Sequence, residues 1–274
     1  NIYQKILWNK ERADREGWDA SLFDCKEIDA HFVDAVANFQ KEHGLTADGL
    51  CGSNTARRKY SEDLQEETEM HLTSESEYII YNGIKVKIYW DKVVTYDENP
   101  KIAASPKGHR SFDGPRDPIM FVTHWDVTLS SGHCLRILEK RGLAVHFLIE
   151  NDGHIIQTCD MNDIAYHAGS RTLNACTVGV EISNAYDLKW QDWYVKKGFG
   201  PRPIIKGARV HGNKMTDHLG FYSHQERALA ALWEAVSYAC RIPLELPATK
   251  DALDSRASKA QFKGFVNHYH LTTR

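Results

Sequence analysis

The chain contains no C-x-x-C pair, and its six cysteines (Cys25, Cys51, Cys134, Cys159, Cys176 and Cys240) are irregularly spaced. That argues against a disulfide framework or a dithiol redox motif. A chain of 274 residues buries enough core to need no staples, so these thiols are expected to be reduced and mostly buried, as in proteins made in a reducing cytosol. No apolar stretch is long enough to span a bilayer, which argues against membrane insertion. The chain begins at Asn1, without Met, and shows no signal-peptide pattern; either its start is trimmed or export does not use a classical leader. Net charge is only −3, too little to draw the chain toward nucleic acid or an anionic surface. Internal repeats and low-complexity tracts are absent. What remains is an ordinary globular composition, 42% hydrophobic and 26% charged, sized for one large domain or two smaller ones.

The first 60 residues read as helices. Ile2 to Trp18 is amphipathic and charged, and Ile28 to His43 carries a stripe of Phe32, Val33, Val36, Ala37 and Phe39 that ends at Gly44. Asp48-Gly49 marks a turn, and Ser53-Asn54-Thr55 can cap a third helix through Tyr60. Residues 61–76 are polar and acidic and read either as a linker or as a solvated extension of the preceding helix, with a domain boundary in both cases. Tyr78–Tyr81 and Ile84–Trp90 form a hairpin across Asn82-Gly83. Ile119–Thr123 and Thr177–Ser183 read as interior strands, and Ala144–Glu150 with His154–Thr158 as a second hairpin. Helices are expected near Ser131–Arg141 and from Ser223, where Ser223 and Glu226 suggest a capping box, to Arg241. Residues 186–222 look like a long loop. The sum is an α/β domain over residues 77–274, a mixed central sheet flanked by helices, behind a small all-α three-helix domain over residues 1–60.

Two apolar strands end in chemistry. His124 closes the run Pro118–Thr123, and Glu181 sits inside Val178-Gly179-Val180-Glu181-Ile182, where an apolar setting makes a carboxylate costly unless it is paired or functional. Near the end of the chain His268 follows Phe265-Val266-Asn267. If that segment is extended, His268 and His270 point the same way. Two histidines and a glutamate can make an open zinc site with a general base. His146, in the hairpin strand, and His167, in Ala165-Tyr166-His167-Ala168-Gly169, are further candidates for supporting or substrate-contacting roles.

Taken in order, Thr123-His124-Trp125, Val145-His146-Phe147-Leu148-Ile149 with Asn151-Asp152-Gly153, His167-Ala168-Gly169-Ser170, Asn174, Val178–Ile182 and Asn267-His268 resemble the zinc N-acetylmuramoyl-L-alanine amidases. That family spans phage lysozyme-like amidases, bacterial muropeptide amidases and peptidoglycan recognition proteins. The resemblance implies Zn2+ held by His124 and His268, Glu181 as catalytic base, and His146, His167, Asn174 and Trp125 along the substrate groove. A branch of the family uses a tyrosine before the hairpin histidine; here that position is Val145, which adds weight to Glu181. The third zinc ligand implied is an aspartate or cysteine expected beyond Arg274, or else His270. Asp34–Thr55, with its A-V-x-x-F-Q, G-L-x-x-D-G and G-x-x-T elements, resembles a peptidoglycan-binding helical module. Together these imply an endolysin-like monomer, made in a bacterial cytoplasm, that cleaves the amide between N-acetylmuramic acid and L-alanine. The alternative is a non-catalytic wall-recognition protein of the same fold.

Overall fold

The computed structural model describes residues 1–63, 76–249 and 252–273. Three helices open the chain: α1 (Ile2–Glu16), α2 (Ala30–Glu42) and α3 (Ser53–Asp63). Their apolar faces close on Trp18, Phe23, Phe32, Val36, Phe39, Cys51 and Ala56, with the Trp18 and Phe32 rings stacked at 5.9 Å. The Asp48-Gly49 turn is clamped from inside. Buried Gln40 donates to Asp48 Oδ1 and to the Leu50 carbonyl, and accepts from Gly49 N–H. Asn9 donates to the Gly49 carbonyl and accepts from Cys51 N–H. Gly49 has φ +71°, and a Cβ there would lie 2.6 Å from Val33 Cγ1, so both backbone conformation and space require glycine. Helix α3 continues to Asp63, three residues into the segment read as a linker or a helix extension. Residues 64–75 of that segment lie outside the described residues.

The remaining elements, in chain order, are strands β1 (Tyr78–Tyr81), β2 (Ile84–Lys87), β3 (Val93–Thr95), β4 (His109–Arg110) and β5 (Met120–Trp125); helix α4 (Ser131–Lys140); and strands β6 (Phe147–Ile149), β7 (Ile155–Gln157) and β8 (Ile164–Ala165). Then come α5 (Arg171–Cys176), β9 (Thr177–Ile182), α6 (Gln191–Lys196), the two-residue strands β10 (Ile204–Ile205), β11 (Arg209–Val210), β12 (Asn213–Lys214) and β13 (His218–Leu219), α7 (Ser223–Cys240), β14 (Gly264–Asn267) and α8 (His268–Leu271). Among the described residues, no helix is long and apolar enough to cross a membrane.

The central sheet has the order β14-β5-β9-β6-β7-β3. Its first four strands are mutually parallel, and the β6–β7 hairpin introduces the antiparallel pair. The alternation of each strand divides the core between the two faces. Phe121, Phe147, Val178, Val180 and Phe265 pack under α7 with Leu232 and Val236. Met120, Val122 and Val266 face the other way, against Ala168, Leu173, Phe262 and Leu271. The mixed sheet flanked by helices agrees with the sequence reading.

Four local expectations are revised. The hairpin strand expected over Ala144–Glu150 is shorter, because Ala144–His146 is not in the ladder. Residues 186–222 hold α6 and four short strands rather than a featureless loop. Helix α7 is capped by Tyr222, whose N–H donates to Gln225 Oε1, so Gln225 and not Glu226 closes the cap. The segment after Asn267 turns into helix α8 instead of staying extended.

The helical unit packs on the sheet domain. Arg58 of α3 makes an ion pair with Asp187 at 2.5 Å, and its guanidinium lies 4.6 Å from the Tyr186 ring centre.

Candidate active site

Three neighbouring parallel strands deliver the site. In the register of β5 and β9, His124 stands opposite Glu181; in that of β14 and β5, Asn267 stands opposite Thr123, so His268 emerges one residue further on. All three groups therefore sit at the carboxyl ends of the strands, where ligands of open α/β sheets bind. The His124 and His268 rings are 4.8 Å apart, tilted by 33°. His124 Nε2 lies 2.9 Å from His167 Nδ1, and His167 Nε2 lies 3.2 Å from Thr177 Oγ1. Glu181 is buried, 2% exposed.

His167 is held by its own loop. Asn174 Oδ1 accepts from the N–H groups of His167 and Ala168 at 3.2 and 2.7 Å. Burial, helped by Arg116 and His268, pushes the His167 pKa down to about 3. A neutral imidazole keeps a nitrogen lone pair for a hydrogen or a cation. The ring also packs on Gly179, where an added Cβ would lie 2.5–2.6 Å from His167 Cε1 and Nδ1. The glycine of the Val178–Ile182 strand thus makes room for the histidine. Gly179→Ala is expected to cost about 1–3 kcal/mol through overpacking and to push His167 off His124; thermal melting and substrate turnover measure the two effects.

Several expected roles change. His146 is fully buried: its Nδ1 accepts from Gly179 N–H at 3.1 Å, and its Nε2 faces the Asp163 carbonyl at 3.1 Å and Arg116 Nη2 at 3.3 Å. It cannot touch substrate and instead props β9. Asn174 does not offer its amide oxygen to a groove, since that oxygen serves the His167 loop. His270 points away from His268 because successive side chains in a helical turn diverge. Its Nδ1 accepts from Asn267 N–H and its Nε2 meets the Thr249 carbonyl, at 2.9 and 2.8 Å. With both nitrogens engaged, it is no ligand in this arrangement. Trp125 is partly buried, donating to the Asn184 carbonyl at 2.7 Å. Its ring contacts Tyr186, His218 and Phe221, on the wall of a hollow of about 400 Å3 that Glu226 also lines.

Three groups escaped the sequence reading. Asp126 lies beside Glu181 and is 1% exposed. It accepts from Thr128 N–H and Oγ1, Ser183 Oγ and Asn184 N–H at 2.7–3.0 Å. Burial nevertheless pushes its pKa up to about 7, with Glu181 adding to the rise. Glu150, which accepts from Ser131 and Asn151 N–H, is likewise pushed up to about 7 by burial. Arg116 reaches under the site to the carbonyls of Asn174, Ala175 and Thr177. Only Asp126, between Trp125 and Val127, has apolar neighbours in the sequence, and that does not say what it meets.

Glu150 yields a pH prediction. Its folded pKa, about 7, exceeds the ordinary 4.5. Between those values the folded state holds the proton and the unfolded state does not, so this group's contribution falls as pH rises through the window. Relative to wild type, Glu150→Gln should gain stability from pH ~4.5 to ~7, by at most about 3 kcal/mol. Denaturant midpoints across that range measure it; a constant difference would contradict the buried protonated acid.

The fold and site define an α/β protein with clustered histidines and a buried carboxylate at the carboxyl edge of a mixed sheet. A family model described as N-acetylmuramoyl-L-alanine amidase matches residues 114–256, and the chain belongs to that family. Among solved structures it is similar to the Escherichia coli amidase AmiD in complex with anhydro-N-acetylmuramic acid-L-Ala-D-gamma-Glu-L-Lys (17% identity, 49% of each chain, TM-score 0.34). It is also similar to the endolysin amidase LysCS from Clostridium intestinale URNW (14% identity, 68% of this chain and 86% of that one, TM-score 0.36). A third is the Ph2119 endolysin from Thermus scotoductus MAT2119 bacteriophage Ph2119 (15% identity, 67% and 89%, TM-score 0.38). The chain spans about half the length of the AmiD chain it matches. No curated protein matches it.

The donor chemistry suits zinc. Imidazole nitrogens are standard zinc ligands, and the His124 and His268 rings lie 4.8 Å apart with a buried carboxylate on the adjoining strand.

Proposed function

We propose that this chain hydrolyses the amide bond between N-acetylmuramic acid and the L-alanine of peptidoglycan stem peptides. The observation that carries the reading is the side-by-side placement of His268, His124 and Glu181 at the ends of β14, β5 and β9, within a chain of the amidase family. His124 and His268 would hold a zinc ion, which polarises the scissile carbonyl and lowers the pKa of water toward about 7. Glu181 takes the proton from the attacking water and delivers it to the leaving alanine nitrogen. His167, neutral and pinned by Asn174, fixes the ring of His124 beside it. Trp125 offers an aromatic wall to the sugar or peptide next to the reacting bond.

The N-terminal helices serve as a wall tether, which raises the local concentration of a polymeric substrate. The sequence motif over Asp34–Thr55 supports this, as does a hollow of about 660 Å3 lined by Trp8, Arg12, Arg15, Asp48 and Asn54. Six free thiols are consistent with synthesis in a reducing cytoplasm and action on the wall after release.

Digestion of purified cell walls tests the reading. New N-terminal alanine should appear without new reducing sugar ends, fall on chelation and return with added zinc. Reducing ends without free alanine would replace the amidase by a glycosidase.

A further inference from the structure

A second cluster of metal-ligating side chains lies away from the cleft. Among the described residues, His109, Cys159 and Asp163 bring an imidazole nitrogen, a thiol and a carboxylate oxygen within 4.8 Å of one another. They come from three places: β4, the residues after β7, and the turn before β8. The pairing of β4 with β8, His109 opposite Ala165, assembles them.

Two details of the cluster bear on metal binding. His109 Nδ1 and Asp163 Oδ2 are 3.1 Å apart, yet Nδ1 is buried and makes no aligned hydrogen bond. The third member, Cys159, is a thiol only 2% exposed, set beside the carboxylate of Asp163. His109 precedes the residues matched by the amidase family, whereas Cys159 and Asp163 lie within them.

We propose that His109, Cys159 and Asp163 form a second, sulfur-containing transition-metal site of the zinc class. Mixed nitrogen, sulfur and oxygen donors select a borderline cation such as Zn2+ over Mg2+ or Ca2+, which take oxygen ligands. Three protein ligands leave a fourth position for water. Binding deprotonates Cys159, and the proton passes to solvent. The bound ion fastens the segment carrying β4 to the turn between β7 and β8. Because the Asp163 carbonyl meets His146 Nε2, and His146 supports Gly179, the ion also steadies the floor of the cleft.

Cobalt is the probe. The full chain loaded with Co2+ should show a sulfur-to-cobalt charge-transfer band in the near ultraviolet, a signature that the imidazoles at the cleft cannot produce. The band should persist in His124→Ala/His268→Ala, disappear in Cys159→Ser, and need more than about 100-fold higher cobalt in His109→Ala. Circular dichroism checks that each variant is folded; should Cys159→Ser fail that check, His109→Ala decides. No band in the wild-type chain, a band that survives Cys159→Ser, or unchanged affinity in His109→Ala overturns the site. None of these outcomes bears on whether the cleft hydrolyses peptidoglycan.

Discussion

Glu181→Ala should lower amide hydrolysis of purified walls by about 10²- to 10⁴-fold, the usual range for loss of a positioned proton-transfer group. The carboxylate is 2% exposed on an interior strand, opposite His124. A group so placed costs stability unless it works, so its replacement by Gln, which keeps the volume, should leave the melting temperature equal or higher. Wall binding through the helical unit should be unchanged in both variants. Rate and stability therefore move independently. Hydrolysis within a few-fold of wild type in Glu181→Gln would remove Glu181 from catalysis.

Arg116→Ala should cost about 3–5 kcal/mol of folding stability, through lost hydrogen bonds and the cavity left behind. That corresponds to a fall of roughly 10 °C in melting temperature for a domain of this size. The side chain is 3% exposed. One guanidinium nitrogen donates to the carbonyls of Asn174, Ala175 and Thr177, the last at 2.8 Å; the other donates to Met161 O and faces His146. Removing it strands several buried carbonyls where α5 meets β9, directly beneath His167. Arg116→Met, which fills the space without donors, should recover only the cavity share. A thermal melt of either variant coinciding with wild type would show that water satisfies those carbonyls instead.

Much of the fold was legible because local pattern carries it. The continuous apolar runs at Ile119–Thr123 and Thr177–Ser183 have the length and composition of buried strands and are β5 and β9. The helical stripe through Phe32, Val36 and Phe39 faces the core of the N-terminal helices. Asn82-Gly83 is the hairpin turn between β1 and β2, with both residues at positive φ. The site was less legible. An extended chain would put His270 on the same side as His268, but a helical turn separates them. Motif position puts His146 and Asn174 in the groove, whereas their polar atoms serve Gly179 and the His167 loop. Asp126 and Arg116 carried no pattern that distinguishes a buried network from a surface charge.

The sequence by itself settled the helices of the first 60 residues, the interior strands β5 and β9 and the Asp48-Gly49 turn, because each depends on neighbours within a few positions. Only the tertiary structure decided that β14, β5 and β9 lie side by side and in which register, and so which imidazoles and which carboxylate share a cleft. That choice rests on packing between segments distant in the chain, where volume, pleat and hydrogen-bond pairing must all close together.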